Sequence, residues 1–240
     1  SSVLQDSCAA TWWGAKGAGC TKPGHRFLVR QQQASVGEIP VFPHACKENA
    51  ALTLDEVINR VNAGDTVDVA RSNERDHQEI PPAANMYLNR PIVLRGGWDV
   101  NFSVHKPDSV GTRTIVEPLA DGPLLVIEQD PAAVSDSSLI IDSTTIVEGL
   151  IFQNATAQLE NGGAIQVRGG ASPTIRNNQF LNNESDNWGG AISIRDAVSP
   201  RIYDNYINNN EAGIGGGIHV FRTVDPVIRG NIIARNEATD

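Results

Sequence analysis

Hydrophobic and polar residues alternate in short bursts through the second half of the chain. Ile165 and Val167, Ile192 and Ile194, and Ile218 and Val220 each flank one intervening residue, Gln166, Ser193 or His219. A period of two is the pattern of a strand with one buried face, not of a helix. A second apolar run centres on Ile175, Ile202 and Ile228, and a third on Phe180, Ile207 and Ile233. The positions recur in step: 175 to 202 to 228 is 27 and then 26 residues. The same steps relate Ser172-Pro173, Ser199-Pro200 and Asp225-Pro226, and the Gly-Gly-Ala-Ile runs at 162–165 and 189–192 to Gly-Gly-Gly-Ile at 215–218. A fixed period in this range marks a repeat architecture. Three short strands per unit, with Gly, Asn or Pro at each corner, predict an all-β coil that stacks on itself. Each strand then pairs in parallel with its copy one turn on, about 4.8 Å away. The predicted fold is a parallel β-helix, held together by contacts between neighbouring turns.

Two asparagine columns follow the same steps: Asn178, Asn205 and Asn231, and Asn183, Asn210 and Asn236. Asparagine tolerates the left-handed backbone region at a sharp corner. Stacked copies can also pass amide hydrogen bonds along the coil as a structural ladder. A ligand site is the competing reading of these columns.

The pairing of Gly-Gly-Ala-Ile with Phe180-Leu181-Asn182-Asn183 resembles the GGA-I and F-x-x-N repeats of the chlamydial polymorphic outer-membrane protein family. More broadly, residues 50–240 are similar to the right-handed β-helix proteins of the pectate-lyase-like superfamily. The resemblance implies a right-handed coil and a bacterial surface or extracellular setting. It does not fix an activity, because these repeats maintain the coil.

Ahead of the regular turns, expected over 147–240, the pattern is looser. Residues 53–63 read as an amphipathic helix, with Leu54, Val57, Ile58 and Val61 on one face. Thr53 and Glu56 form a capping box, and Gly64 stops the helix. Such a helix would cover the open apolar end of the coil, whose first turn has no neighbour. Residues 65–146 read as irregular turns, with strands at 65–70, 91–98, 114–116, 124–128 and 138–142, a loop over 71–90 and a protruding loop near 134–138. Residues 1–50 read as an irregular arm. Its Trp12-Trp13 pair either stacks on a sugar or seals a loop. Cys8, Cys20 and Cys46 all lie in this arm, which suggests a disulfide staple with one thiol left over. No C-x-x-C or His pair supports the alternative of a metal site there.

Composition narrows the setting more than the chemistry. The 240 residues carry a formal charge of −9, which argues against nucleic acid and anionic membrane surfaces as partners. Aromatic residues make up only 5%, which suits a narrow coil filled by Ile, Val and Leu. No apolar run approaches the roughly 18 residues of a membrane span. The chain stops at Asp240, where the next Gly-Gly-Ala-Ile would begin, with no capping element after it. The expectation is either a piece of a longer solenoid or an open end that docks on a protein partner or a second copy.

Three sets of residues are candidates for binding. Glu184, Glu211 and Glu237 stack beside the second asparagine column; they are a solvated acidic edge or a set of oxygen ligands for calcium, the one cofactor the sequence raises. Arg168, Arg195 and Arg222 follow the Gly-Gly strands. They either hold an acidic polysaccharide through charge-assisted hydrogen bonds or are solvent-facing side chains that discourage edge pairing and pair with nearby acids, such as Asp196 beside Arg195. His219 should face outward, with Arg195 and Glu211 near it, as the best candidate for acid–base work. The Asn-Thr-Asp, Asp-Asp and Gly-His-Gly runs of polygalacturonases are absent. No catalytic residue is assigned. The expectation is a non-enzymatic extracellular or outer-membrane-surface protein: a scaffold, an adhesin or a subunit of a surface assembly. The rival is a polysaccharide lyase, hydrolase or epimerase, with its site in loops or in turns beyond residue 240.

Overall fold

A computed structural model describes residues 26–29, 54–59, 61–70, 86–99, 103–107, 109–118 and 120–240. Cys8, Cys20, Cys46, the Trp12-Trp13 pair, Thr53 and the 71–85 part of the expected loop lie outside the described residues. Within them the chain winds through about six turns of a parallel β-solenoid. Every pairing between strands is parallel, each strand lying beside its counterpart one turn away.

The strands line up as four sheets, not the three expected. The first has seven strands: Arg26–Val29, Thr66–Ala70, Val93–Trp98, Ile146–Glu148, Thr174–Arg176, Arg201–Tyr203 and Val227–Arg229. The second has five: Thr114–Val116, Leu150–Gln153, Gln179–Leu181, Tyr206–Asn208 and Ile232–Ala234. The third has five: Met86–Leu88, Leu125–Glu128, Ile165–Arg168, Ile192–Arg195 and Ile218–Phe221. The unexpected fourth has four: Thr156–Ala157, Glu184–Trp188, Glu211–Ile214 and Glu237–Ala238. Its inward positions are the small residues Ala157, Ser185 and Ala212, all buried, so it presents no run of large apolar residues to read.

The inward columns fill the coil. Leu94, Val147, Ile175 and Ile202 come from the first sheet, and Leu125, Ile165 and Ile192 from the third, all without exposed surface. Phe152 and Phe180 stack in the second, ring centroids 5.3 Å apart and 8° from parallel. Identical rows one turn apart bury apolar surface against their own kind, which is why a repeated sequence suffices to build the core.

The left-handed corners are not at the ladder asparagines but one residue before them. Asn177 and Asp204 precede Asn178 and Asn205, and Asn182 and Asn209 precede Asn183 and Asn210; all four have φ between 53 and 57°. The Gly-Gly pairs answer two separate demands. Gly189 adopts φ 73°, while a Cβ on Gly190 would run into the backbone carbonyl oxygens of Gly216 and Glu211.

The N-terminal part departs further from expectation. The arm read as irregular contributes the strand Arg26–Val29, paired with Thr66–Ala70. Among the described residues of the expected 53–63, the helix covers Leu54–Ile58, with Leu54, Val57 and Ile58 buried. The expected strand at 138–142 is instead a 3-10 turn, Ser137–Leu139, following another at Pro131–Ser135. The buried Gln129 ties the neck of this excursion: its amide donates to the carbonyls of Asp130 (3.2 Å) and Leu139 (3.4 Å) and accepts from the Ile141 N–H (2.7 Å).

Candidate functional site

Two asparagine columns run inside the corners and belong to the frame. In the first, Asn178 Nδ2 donates to Asn205 Oδ1 at 3.3 Å, and Asn205 Nδ2 to Asn231 Oδ1 at 3.0 Å. In the second, Asn183 donates to Asn210 at 2.9 Å and Asn210 to Asn236 at 2.8 Å. Each Oδ1 also accepts a backbone N–H from one turn earlier, that of Leu150 for Asn178, of Ala155 for Asn183 and of the preceding ladder asparagine for the rest, and each Nδ2 donates to a carbonyl of that earlier turn, as Asn205 does to Ile175 O at 3.0 Å. The buried amides of Asn178, Asn183, Asn205 and Asn210, with donors and acceptors both engaged, have nothing left for a ligand.

The outward faces carry the remaining chemistry. Along the first sheet the strand register lines up Asp68, Arg95, Glu148, Arg176, Tyr203 and Arg229 in one column. Arg95 Nε meets Asp68 Oδ1 at 2.6 Å, and this hydrogen bond raises the guanidinium pKa above its ordinary value. Arg176 bonds Glu148 at 2.6 Å and Tyr203 Oη at 3.0 Å, and the Tyr203 bond leads the upward shift of its pKa. Arg229 lies over the Tyr203 ring, 5.6 Å from its centroid. This ladder escaped the sequence reading. Its signal was available: Arg176, Tyr203 and Arg229 each stand two residues before a ladder asparagine.

Of the predicted residues, Arg168, Arg195 and His219 lie on the strands of the third sheet. Gln166, Ser193 and His219 form one outward column across successive strands. Arg168 Nη2 pairs with Glu128 at 3.0 Å, and Tyr87 donates its hydroxyl to the same carboxylate. Arg195 Nε lies 3.2 Å from Asp196 Oδ2. Arg222 does not continue the arginine column. The residue paired with Arg195 is Phe221, because the step here is 26 residues. Arg222 falls instead on the left-handed corner with Asp196 (φ 49° and 52°) and donates to its carboxylate at 2.6 Å.

His219 is covered, not freely outward. The Trp188 ring stacks on it with centroids 5.1 Å apart, and Phe221 lies 5.9 Å from Trp188. Burial lowers the His219 pKa. Its Nδ1 has no hydrogen-bond partner, so neither Arg195 nor Glu211 engages that atom. Trp188 reaches this position from a bulge, since the ladder to Glu211–Ile214 slips register between Ser185 and Trp188. Glu184, Glu211 and Glu237 stack on the fourth sheet and are exposed. Among the described residues no group of three or more His, Cys, Asp and Glu gathers as a metal site. No helix among them is long and apolar enough to cross a membrane.

Parallel strands stacked turn on turn, with internal amide ladders at the corners, define a parallel β-helix protein. A family model described as a right handed beta helix region matches residues 132–239. No curated protein and no solved structure matches the chain.

Proposed function

We propose that this chain is a non-enzymatic scaffold or adhesin at the cell surface or outside the cell, working as a rigid rod that binds along its side. The observation that carries the reading is how the outward carboxylates of the third sheet are used. Glu128 is held by Arg168 and Tyr87, and Asp196 by Arg195 and Arg222. Carboxylates committed to cross-turn pairing are poorly placed for acid–base work, which needs a group free to exchange its proton with substrate. The likeness of the Gly-Gly-Ala-Ile and Phe-x-x-Asn repeats to the chlamydial surface family favours the same setting. In this reading the helix Leu54–Ile58 helps to seal the N-terminal end of the core.

The rival reading is a polysaccharide-active enzyme, favoured by one observation: His219 stands desolvated beside Ser193, an arrangement seen where side chains are prepared for chemistry. Prolonged incubation with polyuronates and neutral polysaccharides, followed by chromatography of the products, separates the two. The scaffold reading expects no shortened or unsaturated product; turnover abolished by His219→Ala would overturn it. Antibody labelling of intact source cells tests the location, and labelling only after lysis would count against it.

A further inference from the structure

Three of the four buried side-chain atoms that lack a hydrogen-bond partner among the described residues lie on one face. They are Arg168 Nε, Ser193 Oγ and His219 Nδ1; the fourth is Thr145 Oγ1. The three sit on successive strands of the third sheet, and Ser193 is only 1% exposed. Buried polar atoms in native proteins are nearly always paired, so three neighbouring orphans point to a partner that belongs there. They span two inter-strand steps, about 10 Å, roughly the length of a disaccharide.

The surroundings indicate what kind of partner. Trp188 and Phe221 supply aromatic faces beside His219. Phe221 is 44% exposed. Asp196 is one carboxylate between two guanidinium groups, Arg195 and Arg222, which leaves a surplus positive charge at the edge of the aromatic patch. Flat apolar rings, hydrogen-bonding atoms in a row and an underneutralised arginine pair match a chain of sugar rings that carries acid groups.

We infer that the outer face of the third sheet binds an anionic saccharide lying along the coil. Its rings stack on Trp188 and Phe221, its carboxylate or sulfate lies between Arg195 and Arg222, and its hydroxyls satisfy Arg168, Ser193 and His219. Trp188 stands over His219 in the bulged stretch, where the ladder register slips, so binding requires its indole to shift and open His219 to the hydroxyls. The inference rests on the reading of the chain as a side-binding rod.

The test is calorimetric titration of the full chain with a heparin-derived oligosaccharide, a uronic-acid oligosaccharide and a neutral cello-oligosaccharide, with product analysis of each mixture. At least one anionic probe binds and quenches indole fluorescence, the neutral one does not, and the preferred probe tells sulfate from carboxylate. Arg222→Gln, at a side chain 63% exposed, weakens binding by about ten-fold. Ser193→Ala also weakens binding without lowering stability, whereas a merely packed hydroxyl would leave affinity unchanged. No binding, equal binding of the neutral probe, or full affinity in both variants overturns the site. Those results leave the non-enzymatic reading standing, and product release would overturn that reading instead.

Discussion

Removing one rung of the first asparagine ladder gives the sharpest test of what holds the turns together. Asn205 is 2% exposed, and its side chain makes four contacts. Its Nδ2 donates to Ile175 O and Asn231 Oδ1, each at 3.0 Å. Its Oδ1 accepts from Asn178 N–H at 3.0 Å and Asn178 Nδ2 at 3.3 Å. In Asn205→Ala the Asn178 side-chain amide keeps Val147 O, but the Asn178 backbone N–H loses the acceptor provided by this side chain inside the coil. A stranded buried donor costs about 2 kcal/mol, and the two lost donations from Nδ2 add about 0.5 kcal/mol each, so the expected loss is about 3 kcal/mol. Asn182→Gly is the control in the neighbouring column. Asn182 is exposed, sits at φ 54° and accepts one exposed bond from Asn209. Glycine relieves the left-handed strain, so the change stays within about 0.5 kcal/mol. Urea unfolding followed by circular dichroism gives the two losses, and hydrogen exchange at the Asn178 amide localises the first. A loss under about 1 kcal/mol for Asn205→Ala, with the Asn178 amide still protected, would refute the ladder as the cement between turns.

The glycine pairs make a steric prediction. Gly190→Ala forces a methyl into backbone that cannot step aside and should cost about 3 kcal/mol or more, whereas Gly170→Ala meets open space at φ 89° and costs about 1–2 kcal/mol of backbone strain; thermal unfolding of both checks the contrast. Burial holds His219 below its ordinary pKa of 6.5, so the unfolded chain takes up this proton first as the pH falls. The stability tied to neutral His219 is complete above the unfolded value and is lost as the pH drops from there towards the folded one. An NMR titration should place its imidazole below the ordinary histidine range, and His219→Gln should flatten stability across that window; an unshifted midpoint would contradict the burial argument. Arg176→Met breaks the contacts to Glu148 and Tyr203 at a side chain 32% exposed, so solvent screening limits the loss to about 1 kcal/mol in urea unfolding. A loss above about 2 kcal/mol would make that outer ladder a structural element in its own right.

What could be read from the sequence follows from where the coil constrains residue identity. Inward positions of the first three sheets are mostly large and apolar, so Ile175, Ile202 and Ile228 repeat and announce their strands. Corners must pass the chain through a left-handed residue and seat an amide beneath it, so an asparagine repeats there. The reading missed only that the left-handed residue is the one before it, a place filled by Asn177, Asp204 and then Gly230. The fourth sheet was hidden because its inward positions are Ala157, Ser185 and Ala212, too small and too few per strand to form a pattern. Arg222 was misplaced because its spacing from Arg195 is 27 residues, which hides the shortening of that turn to 26 that the paired Phe221 reveals.

Outward positions obey a different rule, and their variation is informative once the frame is known. Gln166, Ser193 and His219 occupy one column on three turns, yet share neither size nor hydrogen-bonding group. A solvent-facing column has no packing reason to bury its members, but Ser193 and Gln166 are almost wholly covered. The cover at His219 comes from Trp188, whose place in the neighbouring turn is taken by Ile214 after a slip in register. That departure cannot be read from a period, because it is the point at which the period is broken. A coil that repeats for the sake of its core therefore carries its distinctive chemistry where repetition stops, and on this chain the break falls beside the three unpartnered polar atoms of the third sheet.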